Sequence, residues 1–192
     1  MRKKEKDIMI KIRPFKEKDA EQLNIVAIES FIEFKEHYSE WQHIKNSVGN
    51  LSSLKEKADI LVAEEGSEII GGVALVYPGK DKNKNIMPHW ATIRILVVSP
   101  KHRGKGIAKA LTNECLSIAS KRNYDSIALY TSSIMKIALS MYLKLGFKKV
   151  KSIGLICGVE YTLYKLNIAH NKSFKNDRQT AAPYLGVRQE IL

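Results

Sequence analysis

Cysteine is scarce, and long hydrophobic runs are missing. The only two cysteines, Cys115 and Cys157, have no Cys-x-x-Cys spacing and no histidine cluster nearby. That excludes a disulfide framework and the common zinc spacings, so no metal is expected. Buried structural thiols are the better reading, and they place the chain in the cytoplasm. No apolar run approaches the ~20 residues of a membrane-spanning helix, so no membrane partner is expected. The basic start, Met1 to Asp7, is not followed by the apolar core of a signal peptide. There are no internal repeats. Carboxylates are outnumbered: 20 Asp and Glu stand against 32 Lys and Arg, a net charge of +12. A solvated lysine-rich surface, attraction for a polyanionic cofactor and nucleic-acid binding all fit that excess. The lysines are scattered, with no dense stripe and no nucleic-acid module, so nucleic acid ranks last.

The 192 residues are 44% hydrophobic, enough for one full core with or without a tail. The chain is organised around residues 93–111. Ile93 to Val98 is a β-branched, apolar run interrupted only by Arg94, as a central strand would be. Ser99-Pro100 stops it. After Arg103-Gly104-Lys105-Gly106, apolar residues recur at Ile107, Leu111, Cys115, Ile118 and Ala119, which is helical spacing. A Gly-rich turn that opens a helix leaves backbone N–H groups pointing outward beside the positive end of the helix dipole, which makes an anion site.

Before this stretch, Ile8 to Phe15 reads as a strand, and a helix carrying Leu23, Val26, Ala27, Ser30, Phe31 and Phe34 follows, with Asp19 as its N-cap. Residues 33–47 are polar and aromatic and read as helix or loop. Val48-Gly49-Asn50 is a break, 51–57 a short helix, and 60–65 and 69–77 a hairpin about Gly66-Ser67. Gly71-Gly72 inside its second strand marks a bulge or a close backbone approach. After the central unit come a buried strand at 127–131, a helix capped by Ser132-Ser133, and Gly146 just past its end. That helix carries Ile137, Ala138, Met141, Tyr142 and Leu145 at helical spacing, with Tyr142 at the edge of the apolar face. Residues 147–151 and 160–166 are two last strands, joined by 153–158. The domain is read as 1–166. Residues 167–192 are a tail, mobile or packed on a neighbouring chain, as in a homodimer.

The Gly-rich turn is neither a Walker loop nor a dinucleotide fingerprint: no Gly-x-x-x-x-Gly-Lys-Ser/Thr occurs, and the third glycine position is Lys109. The pattern Arg-x-x-Gly-x-Ala (Arg103, Gly106, Ala108) after a Leu-Val-Val strand and Pro100 resembles motif A of the GNAT superfamily of N-acetyltransferases. Downstream, Ala138-Leu139-Ser140-Met141-Tyr142-Leu143-Lys144-Leu145-Gly146-Phe147 is similar to that family's A-x-x-x-Y-x-x-x-G-F segment. The resemblance covers roughly residues 8–166. It implies an α/β fold with a mixed, mostly antiparallel central sheet of six to seven strands, flanked by helices and splayed where acetyl-coenzyme A enters.

The resemblance also assigns roles. Leu96, Val97 and Val98 would offer backbone groups to the pantetheine arm and thioester. Arg103, Gly104, Lys105, Gly106, Ile107 and Ala108 would hold the pyrophosphate, and Tyr142 would protonate the leaving thiolate. The implied reaction is direct attack of a primary amine, on a small molecule or a protein, on the acetyl thioester. Residues 33–47, with Tyr38 and Trp41, would cover the acceptor pocket or simply pack a helix pair. No carboxylate lies between Thr92 and Val98, which leaves Glu64, Glu65, His89 or a water relay as base. Arg94 would pair with an acceptor carboxylate or sit in a structural ion pair. A non-catalytic acyl-coenzyme A sensor and a basic nucleic-acid-binding protein are the competing classes.

Overall fold

The computed structural model describes residues 10–168 and 184–185. Its strands are β1 (Ile10–Pro14), β2 (Ala58–Glu65), β3 (Glu68–Val76), β4 (Ala91–Val98), β5 (Ser126–Thr131), β6 (Lys148–Ile156), β7 (Val159–Asn167) and the two-residue β8 (Tyr184–Leu185). The helices are α1 (Ala20–Phe31), α2 (Trp41–Val48), α3 (Ile107–Lys121) and α4 (Lys136–Lys144). The strands form one sheet in the order β6-β7-β5-β4-β3-β2-β1-β8. Every pairing is antiparallel except β4 with β5, the crossover that α3 makes. This is the expected mixed, mostly antiparallel sheet, with seven strands of ordinary length.

Both faces of the central strands are covered, which explains their near-continuous apolar runs. In β2, Leu61 and Ala63 join Leu111, Cys115 and Leu116 of α3 on one face, while Ala58, Ile60 and Val62 join Leu23, Val26 and Ala27 of α1 on the other. Cys115 is buried in the first of these cores, as expected. The glycines of β3 serve close approach: a Cβ on Gly72 would collide with the Leu23 side chain, and one on Gly71 would sit 2.8 Å from the carbonyl oxygen of Val97. The β2–β3 register also shifts beside them, between Ala63 and Glu64.

Several expectations need correction. Asp19 makes no cap on α1. Its carboxylate accepts the N–H of Lys16 at 2.7 Å and two hydrogen bonds from the Arg13 guanidinium. Arg13 also binds Glu64, at 2.8 Å, so a charged group outcompetes the helix end for this carboxylate. α4 starts at Lys136 after Met135, later than a Ser132-Ser133 cap would place it, and Ile137 is 85% exposed rather than in the core. The short helix expected at 51–57 is present as a 3₁₀ helix over 51–56, and the 33–47 segment, expected as helix or loop, holds a 3₁₀ helix over 32–37 followed by α2. β6 runs on to Ile156, leaving only Cys157-Gly158 as a turn, with both residues at positive φ. At the end of the domain, Ile168 is still buried, and Tyr184–Leu185 pairs with Ile10 and Lys11. The rest of the tail, 169–183 and 186–192, lies outside the described residues, as does the start of the first strand at Ile8.

Candidate active site

The parallel seam of the sheet is paired at only two positions, Ala91 with Ile127 and Thr92 with Ala128. From Ile93 onward β4 and β5 diverge. β4 also carries a bulge: Gly72 faces Val97 and Ala74 faces Arg94, so Val73 stands opposite two residues, Ile95 and Leu96. Ile95 absorbs the extra residue at φ +52°, an outlier for a β-branched side chain. Backbone strain of this kind persists only where surrounding structure enforces it, and it clusters at functional sites. Here the enforcing contacts are the β3 pairing and the apolar clusters around Leu23 and around Tyr38 and Tyr161, against both of which Ile95 packs.

At the C-terminal end of β4 the chain turns through a 3₁₀ segment at Pro100–His102 and enters α3. Gly104 and Gly106 both hold left-handed backbone, φ +79° and +77°, and a Cβ at either would meet nothing within 4 Å. Gly106 is the N-cap of α3 without a side-chain cap, so the first N–H groups of the helix, at Ile107, Ala108 and Lys109, have no intrahelical partner. The result is an open concavity lined by backbone donors. The cations beside it are already paired. Arg103 contacts Glu33 at 2.6 Å and donates to the Ser30 carbonyl at 3.0 Å, while Lys105 and His102 both reach Glu65, at 3.4 and 3.1 Å.

A cavity of about 160 Å³ lies in the opened seam. Ile93 to Leu96 of β4, Leu129 to Thr131 of β5, Ile44 and Val48 of α2, and Tyr142 of α4 contribute to its walls. Tyr142 therefore faces the same space as Leu96. Val97 and Val98 do not line it: their side chains are buried in the two cores, and the Val98 carbonyl accepts the Ser30 hydroxyl at 3.0 Å. Tyr142 is the one buried residue of α4, at its centre of contact rather than at the edge of an apolar stripe. Burial pushes its phenol pKa well above the ordinary value of 10, with the neighbouring Cys115 thiol adding to the shift. It is a proton donor across the whole neutral range.

The base candidates fall elsewhere. Glu64 is held by Arg13, Glu65 by His102 and Lys105, and His89 stacks edge-on against Trp90 ahead of β4; none of the three lines the cavity. Arg94 does line it, but as part of an ion pair: it lies 3.3 Å from the buried carboxylate of Asp81 and 4.9 Å above the Tyr130 ring. The 33–47 segment covers the seam. Tyr38 is buried, and its hydroxyl pairs with that of Tyr161 at 2.6 Å, which ties the start of this cover to β7. Sequence reasoning missed Tyr130 and Tyr161, because it located their strands without showing that both tyrosines meet at the seam.

A sheet opened at its one parallel junction, with a Gly-rich helix start at one end of the opening, defines this α/β domain and its candidate site. Sequence and structure comparisons name the class. The family model described as the acetyltransferase (GNAT) family matches residues 21–147. N-acetyltransferase 8B of Mus musculus is 41% identical over 91 residues, a match covering 46% of this chain and 37% of that protein. Among solved structures, an N-acetyltransferase from Staphylococcus aureus Mu50 superposes with a TM-score of 0.64 at 18% identity, over 83% of this chain and 98% of that one. The PaiA N-acetyltransferase from Thermoplasma acidophilum, solved in complex with coenzyme A, superposes with a TM-score of 0.57 at 24% identity, over 82% and 99%. The chain belongs to the GNAT acetyltransferase family. The match spans less than half the length of the first curated relatives.

Proposed function

We propose that this domain is an acetyl-coenzyme A-dependent N-acetyltransferase acting on a primary amine. The observation that carries this reading is the opened seam. Its cavity brings Ile93–Leu96 and Tyr142 together, on the side where β4 leads into the Gly104–Gly106 turn. The residues present fit coenzyme A: positive-φ glycines with open space beside them and unpaired helix N–H groups suit a pyrophosphate, with Arg103 and Lys105 close by but paired to Glu33 and Glu65, and an unpaired strand edge suits the amide-bearing pantetheine arm. When bound, acetyl-coenzyme A supplies an acetyl thioester. The family membership and the N-acetyltransferase names of the curated relatives support the same chemistry.

In this reading Arg103, Gly104, Lys105, Gly106, Ile107 and Ala108 hold the pyrophosphate. Leu96, Val97 and Val98 orient the arm, with only Leu96 in the cavity itself. The amine nitrogen forms a bond to the acetyl carbon and the carbon–sulfur bond breaks. Tyr142 gives its phenolic proton to the departing sulfur, and the proton released by the amine restores the balance through solvent. No carboxylate and no histidine lines the cavity among the described residues, so in this reading the amine arrives in its neutral form or loses its proton to water. The placement of a phenol in the cavity favours turnover over a sensor that merely binds acyl-coenzyme A. The test is release of free coenzyme A on incubation with acetyl-coenzyme A and a panel of amines spanning amino acids, peptides with free N-termini, aryl amines and polyamines. Turnover with at least one amine is expected. Tight binding of acetyl-coenzyme A with no turnover across the panel would favour the sensor.

A further inference from the structure

We propose that a groove at the β6–β7 end of the sheet docks an acidic protein segment, one that carries apolar residues among its carboxylates. The groove has a volume of about 490 Å³, and Trp90, Lys148, Lys149, Val150, Lys165 and Leu166 contribute to its walls. It shares no lining residue with the seam cavity. Trp90 stands just before β4, and the Gly104–Gly106 turn follows the other end of that strand. β4 is 8 residues long, so roughly 26 Å of strand separates the two places. The inference therefore does not rest on the acetyl-coenzyme A reading.

The charge pattern calls for an anion. Lys148 on β6 and Lys165 on β7 stand directly opposite in the antiparallel register. Like charges so placed cost stability unless something offsets them. The Lys165 ammonium has a partner in the Trp90 ring, 4.9 Å below it. Lys148 and Lys149 form no ion pair among the described residues. No carboxylate among those residues lines the groove, and from Tyr77 to Ile168 the chain has only Asp81, Glu114, Asp125 and Glu160. Asp81 is taken by Arg94, and Glu160 accepts the Ser152 hydroxyl. Lysines on an edge strand such as β6 also discourage pairing with another chain. That accounts for Lys148 and Lys149 but not for Lys165, because β7 lies between β6 and β5.

The remaining walls favour a peptide over a nucleic acid. Val150 is 44% exposed beside the lysines, an apolar contact that a phosphate backbone cannot use. No arginine among the described residues lines the groove, so the forked donor that suits phosphate is missing. The Trp90 ring is engaged by Lys165 and by the cluster of Ile86, Ala128 and Leu163, which leaves it no platform for a stacked base.

Fluorescence anisotropy with a labelled peptide rich in Glu and Leu tests the assignment on the full chain. Lys148→Glu/Lys149→Glu reverses the charge of the groove. Lys18→Glu/Lys57→Glu makes the same change in net charge at residues that do not line it. Circular dichroism and thermal melting certify that both variants are folded. Saturable binding of the peptide is expected, weakened by salt, by Glu→Gln replacement in the peptide and by Leu→Ser replacement in the peptide. The groove variant should bind about tenfold more weakly or worse, and the control variant close to the parent. No saturable binding by the parent protein would overturn the proposal. So would equal losses in the two variants, which would reduce the effect to net charge. A single-stranded oligonucleotide that binds more tightly than the peptide, and is lost in the groove variant, would overturn it in favour of a nucleic-acid surface.

Discussion

The backbone N–H of Phe147 donates to the carbonyl of Tyr142 at 3.1 Å, and the two rings meet edge to face with centroids 5.6 Å apart. Gly146 between them, at φ +92°, donates to Leu143 at 3.0 Å. These are the paired bonds and the apolar contact of a Schellman termination. The Tyr-x-x-x-Gly-Phe segment is thus a helix stop whose locking contact is the proposed acid itself. Fixing the end of α4 fixes the ring of Tyr142.

Gly146→Ala should destabilise the fold by about 1–2 kcal/mol, the cost of a left-handed conformation for an L side chain. Gly146→Asn should cost less, because asparagine tolerates this conformation. Urea unfolding of both variants checks the order; an alanine variant as stable as the parent would show that α4 can end in another way.

Gly106→Val places a β-branched side chain at φ +77° in the open space of the phosphate turn. We expect a folded protein that no longer binds acetyl-coenzyme A. Circular dichroism and calorimetry separate the two effects, and wild-type affinity in the variant would remove the turn from the binding site.

Tyr142→Phe keeps the ring that packs on Phe147 and removes the proton. Fold and cofactor affinity should hold while kcat falls by about 10²- to 10⁴-fold if protonation of the thiolate limits the rate. Steady-state kinetics with an accepted amine, beside calorimetry, gives the answer. An unchanged kcat would leave Tyr142 as packing and hand the proton to water.

The pH dependence follows from the shifted phenols. Tyr142 and Tyr161 are both pushed upward, first by burial, so neither ionises near neutrality. kcat/KM should rise with pH only as the acceptor amine loses its own proton, and no enzyme group should close the profile on the alkaline side below about pH 10. Stability behaves in the opposite sense. A phenol whose pKa is higher in the folded state contributes stability that is full below the unfolded value near ~10 and is lost as pH rises beyond it. Profiles with two amines of different pKa test the first statement: a limb that stays fixed when the amine changes would reveal a base on the protein.

The parts of this fold written in local chemistry were legible in the sequence. The β4 run, the Gly104–Gly106 turn, the α3 stripe and the Gly146 stop each need only neighbours in the chain. What stayed hidden depends on distant partners. Asp19 looked like an N-cap until Arg13 claimed it. Tyr38 and Tyr161, 123 positions apart, meet only because α2 folds over the seam. Ile137 carried helical spacing yet faces outward, since periodicity marks a stripe without saying which part of it the sheet reaches. The seam itself comes from β4 and β5 parting after two residue pairs, which no local pattern encodes.

The most direct test of the account is titration of the protein with acetyl-coenzyme A while thermal unfolding is followed. Saturable binding at one site should stabilise the domain by roughly 2.7 kcal/mol at a ligand concentration 100 times the dissociation constant. A melting transition unmoved at millimolar acetyl-coenzyme A would contradict the claim that the opened β4–β5 seam is a coenzyme A site.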